Sequence, residues 1–173
     1  MNIGLVGCGN VSDIYFQNCR RFDGLRIAAC ADLDVTRAKA KAEQHGVPRW
    51  CSTTELLSAG EVDAVLNLTR PAAHYEIALK ALEAGKHIYN EKPLAITTEG
   101  CDRILKAWKA SKKHLMVGFC MRYMNIFRTM KEIVEEIRHP EIGYVASRWM
   151  SVHDAIVKTR EPRKADYRFV AEY

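Results

Sequence analysis

A glycine turn, Gly7-Cys8-Gly9-Asn10-Val11-Ser12, lies directly after an apolar run and opens a helical pattern. The first glycine permits a tight turn, and the second lets a diphosphate approach the backbone. The helix that follows offers free N–H groups and a partial positive charge. Ser12 stands where a third glycine is usual and is still small enough for close helix–strand packing. Asp32 lies twenty residues beyond Ser12, at the end of the second apolar run. A carboxylate placed there accepts hydrogen bonds from an adenosine ribose. It would repel a 2′-phosphate, so NAD is preferred over NADP, although Arg37 is near enough to oppose that preference. The other reading of the same residues is a turn that merely needs small side chains, with Asp32 as the acid before a helix.

Further chemistry clusters after later apolar runs. Glu91-Lys92-Pro93 follows the fourth, and Asn67-Leu68-Thr69-Arg70-Pro71 ends the third, with His74 one helical turn on. In an open α/β sheet the carboxyl ends of the strands form the ligand crevice. A lysine there can hydrogen-bond a substrate hydroxyl or move its proton; it can equally be a solvated charge. No metal site is expected, because His139, His153 and Asp154 lack ligand spacing. The six cysteines form no Cys-x-x-Cys pair and read as reduced, buried thiols.

These residues need a scaffold, and the pattern supplies one. Apolar strand-like runs at 3–6, 25–31, 62–68, 87–89 and 115–119 alternate with helical stretches at 11–21, 36–45, 72–84 and 97–111, and a short capped helix falls near 53–57. Gly46 and Gly85 stop two of the helices. Continuous apolar strands are covered on both faces, which means a parallel sheet with helices on each side. After Phe119 the rhythm changes to a helix at 125–138, with its stripe at Ile126, Met130, Ile133, Val134 and Ile137, and a strand at 143–152. The expected domains are 1–120 and 121–173, the second too small for a core of its own.

Composition limits the function classes. The 173 residues carry 48% hydrophobic and 27% charged side chains, which fits a globular chain. The net charge of +5 is dispersed over both parts, without the basic patch that nucleic acid requires. No apolar run is long enough to span a membrane. The start, Met1-Asn2-Ile3-Gly4, lacks the form of a signal peptide. The expectation is a cytoplasmic protein, with neither nucleic acid nor membrane as partner.

Several segments together resemble the Gfo/Idh/MocA family, the glucose–fructose oxidoreductase and inositol dehydrogenase group. They are Ile3 to Asn10, Ala29 to Asp32, Leu66 to His74, Val117 to Tyr123 and, most specifically, Ala81-Leu82-Glu83-Ala84-Gly85-Lys86-His87-Ile88-Tyr89-Asn90-Glu91-Lys92-Pro93-Leu94-Ala95. The resemblance implies an α/β fold, a Rossmann doubly wound parallel sheet, followed by the incomplete start of an α+β second domain. It implies NAD, with NADP less favoured. Gly7, Gly9, Asn10 and Val11 would bind the pyrophosphate and Asp32 the adenosine ribose. Leu68, Thr69, Pro71 and His74 would lie along the cofactor, Glu91 near its ribose, and Arg122 at the nicotinamide or substrate edge. Lys92 would be the catalytic residue, holding the reacting hydroxyl and assisting its proton transfer.

The implied activity is hydride transfer between nicotinamide and a sugar or cyclitol hydroxyl or ketone. Family members commonly carry an Asp-x-x-x-His helix whose histidine is a general base. This chain has no such pair; Glu135 and His139 share the spacing, but Glu135 lies inside the packing helix that leads into the second domain. The chain therefore reads as truncated, weak or inactive by itself, and prone to self-association, with a homo-oligomer allowed. The alternative is a non-catalytic NAD-binding module, a sensor or a subunit that lacks its substrate domain. A Rossmann-like methyltransferase is disfavoured by Glu91-Lys92-Pro93.

Overall fold

The computed structural model describes residues 1–136. Within them lie six strands: β1 (Asn2–Val6), β2 (Arg26–Ala31), β3 (Trp50–Cys51), β4 (Ala64–Asn67), β5 (His87–Asn90) and β6 (Leu115–Val117). They form one parallel sheet in the order β3-β2-β1-β4-β5-β6. The helices are α1 (Ser12–Cys19), α2 (Val35–His45), α3 (Thr53–Ser58), α4 (Pro71–Glu83), α5 (Thr98–Ser111) and α6 (Asn125–Glu136). The chain divides into two compact units, Met1–Phe127 and Arg128–Tyr173. The sheet and every expected site residue belong to the first. The expected strand at 143–152 and the end of the last helix at 138 lie outside the described residues.

Alternation along each strand explains why the sheet is covered on both faces. Ile3 and Leu5 of β1, Cys30 of β2 and Leu66 of β4 pack with Phe16, Ala38 and Ala42 from α1 and α2. Val6, Ala29, Ala31 and Val65 point the other way, onto Leu56, Ile77, Ala81 and Ile104 from α3, α4 and α5. Successive strand residues face opposite sides, so an unbroken apolar run serves two cores. The crossovers change direction between β1 and β4, and an open sheet has its crevice at such a switch point.

Local signals place the helix ends. Asp34 caps α2 by accepting from the Thr36 and Arg37 amides, and Gly46 closes it at φ 58°. Ser52 and Glu55 make a capping box on α3, Thr97 caps α5, and Pro71 is the first residue of α4.

Three elements differ from the sequence expectation. The two-residue β3 is too short to show any period. The strand expected at 115–119 ends at Val117, and Cys120–Tyr123 form a 3-10 turn. In α1, where the sequence pattern predicts a face of Val11, Ile14, Tyr15, Asn18 and Cys19, the buried residues are Ser12 and Phe16, and Val11 and Ile14 stay 54% and 56% exposed. Phe16 owns the core contact because it stacks on His45 of α2, with ring centroids 4.5 Å apart.

Candidate cofactor-binding site

The carboxyl ends of five strands, β2, β1, β4, β5 and β6, are stapled flush. Each loop's first residue donates its amide to the last carbonyl of the neighbouring strand: Gly7 to Ala31 at 2.8 Å, Leu68 to Val6 at 2.8 Å, Glu91 to Asn67 at 2.9 Å and Gly118 to Asn90 at 2.8 Å. One rim therefore carries the glycine turn, Asp32, Leu68-Thr69, Glu91-Lys92 and Gly118.

Two glycines of the turn do different work. Gly7 has φ +99°, and a Cβ there would lie 2.7 Å from the Leu68 carbonyl carbon. A side chain is thus barred by backbone conformation and by the β4 loop together. A Cβ on Gly9 would meet nothing within 4 Å. The amides of Gly9, Asn10 and Val11 have no hydrogen-bond partner among the described residues. An open cradle bordered by unpaired N–H groups at a helix start suits a diphosphate. Ser12 is buried, and its hydroxyl donates to Gly9 O at 2.6 Å, which replaces the third glycine with a brace.

Asp32 is 8% exposed and tied into the same turn. The Cys8 amide donates to its Oδ2 at 2.8 Å, and the Asp34 amide donates to Oδ1 at 3.0 Å. Arg37 Nη1 donates to Oδ1 at 3.2 Å. A carboxylate offers about four lone-pair sites, so Oδ2 keeps capacity for a ribose hydroxyl. Two further charges in this region are managed. Hydrogen bonds from Lys41 and then His45 hold the Asp13 carboxyl, in the first turn of α1, below its usual range, and the Lys41 ammonium offsets its charge. The free Cys8 thiol, buried beside Cys30, donates to Ala31 O at 3.5 Å; the neighbouring Cys30 and then burial push it far above the usual thiol range, so it stays neutral beside the cradle.

The β4 and β5 loops are joined by buried amides. Asn67 Nδ2 donates to Asn90 Oδ1 at 2.6 Å, and Asn67 Oδ1 accepts from the Thr69 hydroxyl at 2.7 Å. Asn90 Nδ2 reaches the carbonyls of Glu91 at 2.7 Å and Leu94 at 3.3 Å. His74 is fully buried. Its Nε2 lies 2.9 Å from Thr69 O, and its Nδ1 lies against Pro93 O. Expected to lie along the cofactor, the His74 ring sits between the β4 and β5 loops, in contact with a carbonyl of each. Pro71 is exposed as the first residue of α4, and Leu68 and Thr69 back the glycine turn.

Lys92 is exposed beyond β5, with no ion-pair partner among the described residues. Its amide donates to Glu91 Oε2 at 3.0 Å. Glu91 Oε1 accepts from the Tyr15 hydroxyl. Burial first, then the bond to Glu91, push the Tyr15 phenol far above its usual range, so it remains a donor. Arg122 lies in the turn after β6, with its guanidinium 5.2 Å from the Phe119 ring centroid. Sequence reasoning assigned no role to Tyr15, Asn67 or Asn90, because the bonds Tyr15–Glu91 and Asn67–Asn90 join residues remote in the chain.

Residues 1–119 match the model of the oxidoreductase family with an NAD-binding Rossmann fold, Gfo/Idh/MocA. The chain belongs to this family. It is 34% identical over 160 residues to an inositol 2-dehydrogenase of Ralstonia nicotianae, which covers 89% of this chain and 48% of that enzyme. The WlbA dehydrogenase of Chromobacterium violaceum, solved with NADH and UDP-GlcNAcA, superposes with TM-score 0.74 at 28% identity, over 79% of this chain and 40% of that one. KijD10, a 3-ketoreductase of Actinomadura kijaniata solved with NADP and TDP-benzene, gives TM-score 0.73 at 25% identity, over 79% and 42%. The chain thus spans about half the length of the curated relatives it matches.

Proposed function

We propose that this chain is the cofactor-binding half of an NAD-dependent oxidoreductase acting on a sugar or cyclitol, with residues 121–173 beginning a second domain. The observation that carries the reading is the flush rim. It sets an open diphosphate cradle beside a ribose-accepting carboxylate, with Glu91 and Lys92 on the same edge. The inositol 2-dehydrogenase relatives support the substrate class.

Each residue has a physical task. Gly9, Asn10 and Val11 would give their amides to the diphosphate, and Asp32 Oδ2 would accept from the adenosine ribose. Asp32 disfavours a 2′-phosphate, while Arg37 offsets part of its charge, so NAD is bound in preference to NADP. A bound nicotinamide would accept or return the hydride. Lys92 Nζ would hold the oxygen of the reacting hydroxyl and assist its proton transfer.

Calorimetric titration of NAD and NADP into the chain, with Asp32→Ala alongside, tests the cofactor reading. NAD should bind more tightly than NADP, and Asp32→Ala should weaken NAD by about tenfold or more, as expected for loss of a charged acceptor. A folded chain that binds neither dinucleotide would falsify it. Turnover of an inositol or sugar by the chain with NAD would exclude the non-catalytic module.

A further inference from the structure

A dinucleotide laid across the glycine turn must reach from β2 to β5. The strand order places β1 and β4 between them. Strands lie about 4.8 Å apart, so the rim points beyond β2 and β5 are separated by roughly 14 Å. With the adenosine ribose at Asp32, the second ribose falls near Glu91. To serve it, the Glu91 carboxylate must hold one direction. A free glutamate on a loop does not, since it keeps its full rotamer freedom.

Here the carboxylate is clamped from three sides. Oε1 accepts from Tyr15, and Oε2 accepts from the Lys92 amide at 3.0 Å. Gly118 leaves the third side just wide enough, because a Cβ there would lie 3.3 Å from Glu91 Cδ and Oε2 and 3.0 Å from the Tyr89 hydroxyl. Tyr15 is itself held. Its ring meets Tyr89 edge-on, with centroids 5.8 Å apart at 64°, and the two hydroxyl oxygens are 3.3 Å apart. A phenol has one proton, so with Tyr15 donating to the carboxylate, Tyr89 supplies the proton between the two phenols. The relay runs one way, from Tyr89 to Tyr15 to Glu91.

We propose that Tyr15 is a positioning residue that aims the Glu91 carboxylate at the vicinal diol of the nicotinamide-side ribose and couples α1, whose amino end faces the diphosphate, to the loop carrying Lys92. This rests on the cofactor reading above. Tyr15 touches no ligand; it acts through Glu91. Its effect is therefore confined to the half of the dinucleotide that ADP lacks.

The test is titration of NAD and, separately, ADP into the parent chain, Tyr15→Phe, Glu91→Ala and the double variant, with thermal melts of each. Tyr15→Phe should weaken NAD on the order of tenfold, the worth of one hydrogen bond to a charged group, and leave ADP within about twofold. The double variant should bind NAD no more weakly than Glu91→Ala alone. Equal losses for NAD and ADP, no loss for either, or additive losses in the double variant would overturn the positioning role and leave the cofactor reading standing. A parent chain that binds neither ligand overturns both. If Tyr15→Phe fails to fold, Gly118→Ala crowds Glu91 from the opposite side and must show the same NAD-only loss; equal or no losses there overturn the role just as well.

Discussion

At the scale of single residues, the glycine turn separates folding from binding. Gly7 and Gly9 look equivalent in a motif, but their surroundings differ. Gly7→Ala forces a side chain onto a positive φ and into the β4 loop. It should cost about 1–3 kcal/mol or more of stability, read by urea denaturation. Gly9→Ala points a methyl into open space. Its melting temperature should stay close to that of the parent, while NAD affinity drops by about tenfold or more because the diphosphate loses its close approach. Equal destabilisation of the two variants would contradict this division of labour. Asp32 likewise has two tasks, since it braces Cys8 as well as offering an oxygen to a ligand.

At the scale of elements, the rim depends on links between loops. Asn90 connects the end of β5 to Asn67 of β4 and to the carbonyls that flank Lys92. Asn90→Ala leaves several buried polar atoms without partners, at about 1–3 kcal/mol each when fully unmet. An overall loss of about 2–3 kcal/mol is expected, with faster hydrogen exchange at residues 91–94. Unchanged exchange there would show that the loop holds its shape without the amide. The opposite end of the sheet has its own clamp: Lys86, buried, donates to Ala59 O at 2.7 Å and Val62 O at 2.8 Å. That ammonium gathers the carbonyls where α3 ends and β4 begins.

At the scale of the whole molecule, stability should depend on pH through the β5–β6 edge. His87 Nδ1 accepts the His114 amide at 3.0 Å, and the two imidazoles stack with centroids 5.0 Å apart. Burial first, then His114 and Lys113, lower the His87 pKa, while Asp63 opposes them. The folded value lies below the unfolded 6.5, so the unfolded chain takes up the proton first as pH falls. The stabilisation is present above about 6.5 and lost as pH drops towards the folded value. The parent should therefore lose melting temperature between pH 7.5 and 5.5. His87→Gln, which keeps an acceptor and does not titrate, should lose less; an identical loss would assign the effect to other groups.

What the sequence determined was local. A glycine turn, an acid at the next strand end, the capped helix near 53–57, the stops at Gly46 and Gly85, and apolar runs of strand length all act within a few residues or at short fixed spacing. They were enough for the alternation of strands and helices, the parallel sheet and the crevice edge. The tertiary structure alone decided which face of α1 is buried, that Trp50–Cys51 pair as a strand, and that His74 and Asn67 tie loops together. It alone brought Tyr15 to Glu91, across 76 positions of chain. A hydrogen bond between remote residues leaves no periodicity, because its spacing is set by how the sheet is wound rather than by the repeat of any one element.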